Sequence, residues 1–236
     1  MLDDKLRAYK DQLLRPFVGL MGHISPNTIT VMAMVVGLAA AGLAAGQMYL
    51  WALFLWLVSR ILDGMDGLVA RLRNQQSDFG GYLDMVTDSV VYAAVPIGLF
   101  LGNPTLELGI SLAFLLGSFY VNLASWMYLS AILEKRNLGA NTRGELTTVT
   151  MPAGLVGGAE TILFYCAFFI WPGALLWLFL AMAALVVLGT LQRVWWANKN
   201  LPGPLARQVA ETRKETAVHG PFGHAWDEHT AAVVDV

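Results

Sequence analysis

The chain has 236 residues, of which 56% are hydrophobic and only 14% charged, against roughly 25% charged residues in an ordinary soluble domain. That excludes a soluble fold. A net charge of -2 without a basic stripe excludes nucleic acid as a partner, and the single cysteine, Cys166, excludes an internal disulfide and reads as a packed core residue.

Over residues 1–24, Leu2, Leu6, Tyr9, Leu13 and Phe17 recur at steps of three and four, with Lys5, Arg7, Lys10 and Arg15 between them. The pattern predicts an amphipathic helix lying on the membrane surface. Its charges are scattered, without the apolar core of a signal peptide. Ser25-Pro26-Asn27 then gives a helix start, since Ser25 can cap and Pro26 suits the first helical position.

Apolar runs at roughly 28–47, 50–72, 80–101, 106–133, 152–171 and 173–197 predict an all-α chain of six transmembrane helices, each near the ~20 residues that cross a bilayer. Gly46-Gln47, Asn74-Gln75, Gly102-Asn103-Pro104, residues 137–144 and Pro172-Gly173 separate them. Trp51, Trp171, Trp195 and Trp196 fall near span ends, as in an interfacial belt. Residues 25–200 therefore read as one membrane domain, and 201–236, with Pro202, Pro204 and Pro221, as a polar tail expected to be partly disordered. His219, His224 and His229, five apart, align on no helix or strand face.

Translocated loops avoid lysine and arginine. All the basic residues lie in the N-terminal segment, the second and fourth connections, the tail, or the span ends that face them. Both termini are thus expected to be cytoplasmic, in a cell (inner) membrane protein.

Acids are rare in spans, because a carboxylate at mid-membrane costs about 2.5–3.5 kcal/mol even on the lenient insertion scale. This chain places four in its second and third spans. Asp63 and Asp66 lie three apart in the second span, and Asp84 and Asp88 four apart in the third. These spacings put each pair on one helix face, and the short turn at Asn74-Gln75 predicts antiparallel neighbours. Four facing carboxylates repel unless a cation sits among them. Oxygen ligands without a cysteine or histidine cluster suit magnesium or manganese, with oxygens enough for two ions. Gly64, Gly67, Gly80 and Gly81 remove side chains where a ligand or the facing helix comes close. Arg71 can direct a planar fork of donors at phosphate oxygens.

Read continuously, the segment is Asp63, two residues, Asp66-Gly67, two residues, Ala70-Arg71, eight residues, Gly80, three residues, Asp84, three residues, Asp88. This resembles the complete signature of the CDP-alcohol phosphatidyltransferases, every fixed position matching, and the likeness extends to the surface helix, Pro26-Asn27 and the six-span layout. The resemblance implies transfer of a phosphatidyl group from a CDP-linked lipid, CDP-diacylglycerol, to the hydroxyl of a small polar alcohol, with release of CMP. It implies that Asp63, Asp66 and Asp84 hold metal, and that Asp88 ligates one ion and acts as general base. Gly67 and Arg71 would contact the CDP part, with Ser77, Asn27 and Thr28 contributing. It also implies a homodimer.

Other polar residues carry open readings. Arg60, three before Asp63, would hold that carboxylate, reach toward the surface or touch substrate. Intramembrane Glu160 is an acceptor-site candidate or an internal partner of an arginine such as Arg193, which with Arg143 completes the acceptor set. Lys135, Arg136 and Arg143 suit an anionic acceptor but also follow from the positive-inside bias. A transporter or channel passing a divalent cation or protons would explain the acids, but not Gly67, Ala70 and Arg71. The acceptor itself is not fixed: Phe79-Gly80 and Leu83 to Asp88 are similar to eukaryotic-type inositol-lipid synthases, which have arginine where this chain has Ser89. Ala93-Ala94-Val95-Pro96 is closer to serine-lipid synthases. Glycerol phosphate and phosphorylated inositol would use the basic loop.

Overall fold

The computed structural model describes residues 24–135 and 158–201. The expected surface helix, the start of the fifth span with Arg143, and the tail beyond residue 201 lie outside the described residues. Within them every regular element is helical: α1 (Pro26–Ala45), α2 (Tyr49–Leu72), α3 (Asp78–Gly102), α4 (Leu106–Lys135), α5 (Gly158–Ile170), a 3-10 turn (Pro172–Ala174) and α6 (Leu175–Asn200). By packing, the chain divides into Met1–Trp195 and Trp196–Val236; the account below concerns the first unit.

Local chemistry sets the helix ends. Ser25 caps α1 by accepting from the Thr28 N–H at 3.2 Å, with Pro26 following it. Ser77 caps α3 in the same way, accepting from the Gly80 N–H at 3.1 Å. The turns after α1 and α2 reverse through Gln47 (φ 60°) and Asn74 (φ 54°), two side chains in the left-handed region. Gln47 also donates to the Gly102 carbonyl, tying the ends of α1 and α3 together.

Among the described residues four helical segments are long and apolar enough to cross a membrane: α1, α3, α4 and α6 with its preceding turn. This is an integral membrane protein. The helix α2 has the length, at 24 residues, but carries Arg60, Asp63, Asp66 and Arg71, and α5 is described over 13 residues.

Side chains join the antiparallel α2–α3 pair expected from the short turn at Asn74, Arg60 to Asp88 and Trp56 to Tyr92. Extensive helix–helix packing runs from α1 to both α2 and α3. Small residues allow the approach. Gly37, Ala40, Ala41 and Ala44 of α1 meet Val91, Val95, Gly98 and Gly102 of α3. A Cβ on Gly98 would lie 2.2 Å from the Ala41 carbonyl oxygen, and one on Gly102 would lie 2.8 Å from that of Ala44. Backbone cannot yield as a side chain can. On the other side, an aromatic column of Trp56, Tyr165, Phe168 and Phe179 joins α2, α5 and α6, with successive ring centroids 4.6, 5.1 and 5.0 Å apart.

The seam makes a stability prediction. Gly98→Ala should lower the melting temperature of the detergent-solubilised protein, in line with the roughly 1–3 kcal/mol that overpacking costs. Gly42→Ala, where a Cβ meets nothing within 4 Å, should not. Equal melting temperatures for the two variants would mean that α1 and α3 do not meet as described.

Candidate active site

The helices α2 and α3 face each other through long side chains, and the acids lie in that space. Asp63, Asp66 and Asp84 each bring one carboxylate oxygen to within 4.8 Å of the others. Asp66 is buried, and its Oδ2 accepts from the Thr30 hydroxyl of α1 at 2.6 Å. Thr30, itself buried, also bonds back to the Pro26 carbonyl at 3.1 Å. The α1 helix therefore orients one member of the acid group. The sequence reading named Thr28 and passed over Thr30, whose i+4 spacing from Pro26 was its only signal.

Asp88 is engaged differently. Its Oδ1 lies 2.6 Å from Nη1 of Arg60, while Asp63 Oδ1 lies 3.7 Å from the same nitrogen. The arginine three residues before Asp63 thus bonds mainly to a carboxylate 28 residues away. Its guanidinium carbon stands 4.8 Å from the centre of the Trp56 ring and 5.2 Å from that of Tyr92. Desolvated cation–π contacts of this kind are worth about 2 kcal/mol. Nη2 donates to Ser59 Oγ at 3.1 Å, and Ser59 in turn donates to the Ala33 carbonyl at 2.9 Å. The Tyr165 hydroxyl donates to the Tyr92 main-chain carbonyl at 2.5 Å, and its ring meets the Tyr92 ring edge-on at 5.5 Å.

Oxygen-only donors converging at this distance fit a hard divalent cation. Asp63, Asp66 and Asp84 are the residues that would hold it.

Two glycines of the motif make room for polar side chains, one on its own helix and one on a facing helix. A Cβ on Gly67 would lie 3.3 Å from Nη1 of Arg71, so the missing side chain leaves room for that guanidinium over its own helix. One on Gly80 would meet Asn27 Oδ1 and Ser77 Oγ, each at 3.2 Å. Asn27 in the first turn of α1 therefore lies against the first turn of α3. Thr28 shares a 2.8 Å hydrogen bond with Ser25. Nη1 of Arg73 donates to the Ile24 carbonyl at 2.8 Å and fastens the end of α2 to the start of α1.

Beside the acids a cavity of about 390 Å³ opens among α3, α4, α5 and α6, and Ser89, Tyr92, Asn122, Thr161 and Arg193 supply polar groups to its wall. Buried Arg193 donates through Nη1 to the Asn122 side-chain and main-chain oxygens at 3.0 and 3.2 Å. Among the described residues its Nε has no hydrogen-bond partner. Thr190 also donates to Asn122 Oδ1, at 3.2 Å. Glu160 is exposed in the first turn of α5.

Comparison with known proteins agrees with this geometry. The sequence model of the CDP-alcohol phosphatidyltransferases matches residues 23–195. The chain is 32% identical over 197 residues to the inner membrane protein YnjF of Escherichia coli (strain K12), covering 83% of this chain and 94% of that one. It is 26% identical over 148 residues to the archaetidylinositol phosphate synthase of Pyrococcus horikoshii, covering 63% and 78%. In fold it is similar to Mycobacterium tuberculosis phosphatidylinositol phosphate synthase (PgsA1), solved with CDP-DAG bound, at a TM-score of 0.59 and 20% identity over 78% of this chain and 91% of that one. That synthase has also been solved in complex with manganese and citrate. A signature complete at every fixed position, a family match across all six described helices and a shared fold lead to one conclusion: the chain belongs to the CDP-alcohol phosphatidyltransferase family, membrane enzymes that move a phosphatidyl-type group from a CDP-linked lipid to an alcohol.

Proposed function

We propose that this enzyme uses CDP-diacylglycerol as donor and a small polar alcohol as acceptor in phospholipid biosynthesis, at a site open to the cytoplasmic leaflet. The observation that carries the reading is the convergence of Asp63, Asp66 and Asp84, with Asp88 held alongside them. Six spans, a surface helix before them, cytoplasmic termini, a domain over 25–200 and a homodimer complete the reading. The length of α2, the distribution of basic residues and the family likeness support it.

Magnesium or manganese bound to the acids supplies positive charge to the diphosphate oxygens. The remaining work falls to side chains. Arg71, with Gly67 clearing space for it, presents its donors to the donor phosphates, and Asn27, Thr28 and Ser77 line the neighbouring helix starts. Arg193, with a donor to spare, and Glu160 and Arg143 form the acceptor side. Asp88 takes the proton of the acceptor hydroxyl. The acceptor oxygen then bonds to the lipid-side phosphorus as the bond from that phosphorus to the bridging oxygen breaks, and CMP leaves with the electron pair. Positioning supplies most of the catalysis in phosphoryl transfer.

Purified protein given CDP-diacylglycerol, magnesium and a panel of alcohols should release CMP. Excess chelator should abolish release, and magnesium or manganese should restore it. A protein that releases no CMP with any alcohol would instead favour cation or proton passage.

Arg71→Lys should weaken donor binding and slow turnover, because lysine offers a point charge in place of two parallel donors. Unchanged donor affinity and turnover would remove Arg71 from the donor site.

Asp88→Asn should bind donor while turnover falls by about 100- to 10,000-fold, the usual worth of a positioned base. Asp63→Asn should lose metal and donor binding together. Donor binding measured beside turnover separates the two roles, and equal loss of donor binding in both variants would make Asp88 mainly a ligand.

A further inference from the structure

We infer that the alcohol reaches this enzyme as the head group of a second membrane lipid, an anionic phosphodiester lipid with a free head-group hydroxyl, taken into the cavity among α3, α4, α5 and α6. The inference rests on the phosphatidyltransferase reading and narrows its acceptor from a polar alcohol in general to one carried on lipid.

The cavity adjoins the proposed base. Ser89 directly follows Asp88, and Tyr92, one helical turn on, lines the cavity while its hydroxyl accepts from Nη1 of Arg60 at 3.3 Å. The same nitrogen donates to Asp88 Oδ1 at 2.6 Å. A hydroxyl at this end of the cavity therefore stands next to the carboxylate that takes its proton.

Charge sets the class of the ligand. Arg193 is the one charged residue in the cavity wall, and it is only 6% exposed. Among the described residues it forms no ion pair, its Nη1 is spent on Asn122 and its Nε has no partner. A buried guanidinium in this state calls for an anion, and its remaining edge suits phosphate oxygens. One cation matches the single negative charge of a phosphodiester, whereas a phosphomonoester carries about -1.5 to -2.

The rest of the wall is largely apolar. Met182, Val186, Gly189 and Arg193 follow one another at steps of four, three and four on one face of α6, with the charge at one end. At the helical rise that stripe is about 16 Å long. Leu116, Phe119 and Leu123 of α4 extend the apolar side. An alcohol dissolved in water would leave this surface wet, and an acyl chain covers it. At about 390 Å³ the cavity holds a head group and the first part of a chain, but not a whole two-chain lipid. Tyr120 lines it and is 76% exposed, so the cavity reaches the outer face of α4, where the rest of the lipid stays in the bilayer.

In the reaction the head-group oxygen bonds to the lipid-side phosphorus of CDP-diacylglycerol as the bond from that phosphorus to the bridging oxygen breaks. The proton passes to Asp88 and CMP leaves with the electron pair, giving two phosphatidyl units joined through one head group.

The test uses the purified full chain in phosphatidylcholine nanodiscs with CDP-diacylglycerol and magnesium, and follows CMP release with one acceptor at a time. Phosphatidylglycerol and phosphatidylinositol are offered in the bilayer; glycerol, glycerol 3-phosphate, serine, inositol and inositol phosphate are offered in the buffer. One of the two lipids should give the fastest release, with a four-chain product seen by mass spectrometry, and the soluble alcohols should stay near the acceptor-free rate. Arg193→Gln should raise the mole fraction of that lipid needed for half-maximal release by about tenfold or more, as loss of a charge-assisted hydrogen bond implies, and Arg193→Lys should recover part of it. Val186→Phe, which fills the apolar end, should slow release from the lipid acceptor with donor affinity retained. Should these variants fail to fold, the acceptor comparison in wild type decides the matter without them. A soluble alcohol as fast as the lipids or faster, or a Val186→Phe enzyme that loses donor affinity instead, would overturn the inference and leave phosphatidyl transfer standing. Absence of CMP release with every acceptor would overturn the functional reading beneath it.

Discussion

Four carboxylates within a membrane domain must be balanced by positive charge, and this requirement shapes everything around them. A buried charge that loses its partner costs about 3–5 kcal/mol. Arg60 meets part of the requirement, through Asp88 at 2.6 Å and more distantly through Asp63. The group of Asp63, Asp66 and Asp84 would meet the rest by holding a divalent cation. The protein part of the balance is rigid because aromatic rings surround the arginine and carry its packing through Tyr165 and Phe168 to α6.

Small residues solve the complementary geometric problem. The acids must face one another without the two helices closing on them, and α1 packs along both α2 and α3. Gly98 and Gly102 let α1 approach α3 at backbone distance. From that seat α1 orients Asp66 through Thr30 and lays Asn27 against Gly80. The cavity lined by Ser89, Tyr92 and Ala93 of α3 lies against α4, α5 and α6.

Hydropathy and spacing made the helices and the acid pairs legible, because a run of apolar residues and an i, i+3 or i, i+4 step each have one simple geometric meaning. The Ser25-Pro26 start was legible for the same reason: its chemistry is local. What sequence did not reveal lies in contacts between distant segments. Arg60 is nearest in sequence to Asp63, yet its short bond is to Asp88, because α2 and α3 are set side by side by a third helix. Thr30 looks like any hydroxyl in an apolar helix until Asp66 is found beside it. Arg193 is one candidate partner of Glu160 in sequence, and its hydrogen bonds run to Asn122 on α4. The fixed positions of the signature carry no trace of these partners, since each depends on the packing of a whole helix.

The seating of α1 has a consequence for how variation in this chain would be read. One rigid rod touches a carboxylate through Thr30, the start of α3 through Asn27 and the backbone of α3 along the glycine seam. It does so while contributing none of the acids. A substitution on its inward stripe would tilt the rod and displace acids on two other helices at once. In a genetic screen such alleles would score as loss of chemistry rather than loss of protein, although the altered residue is none of the acids.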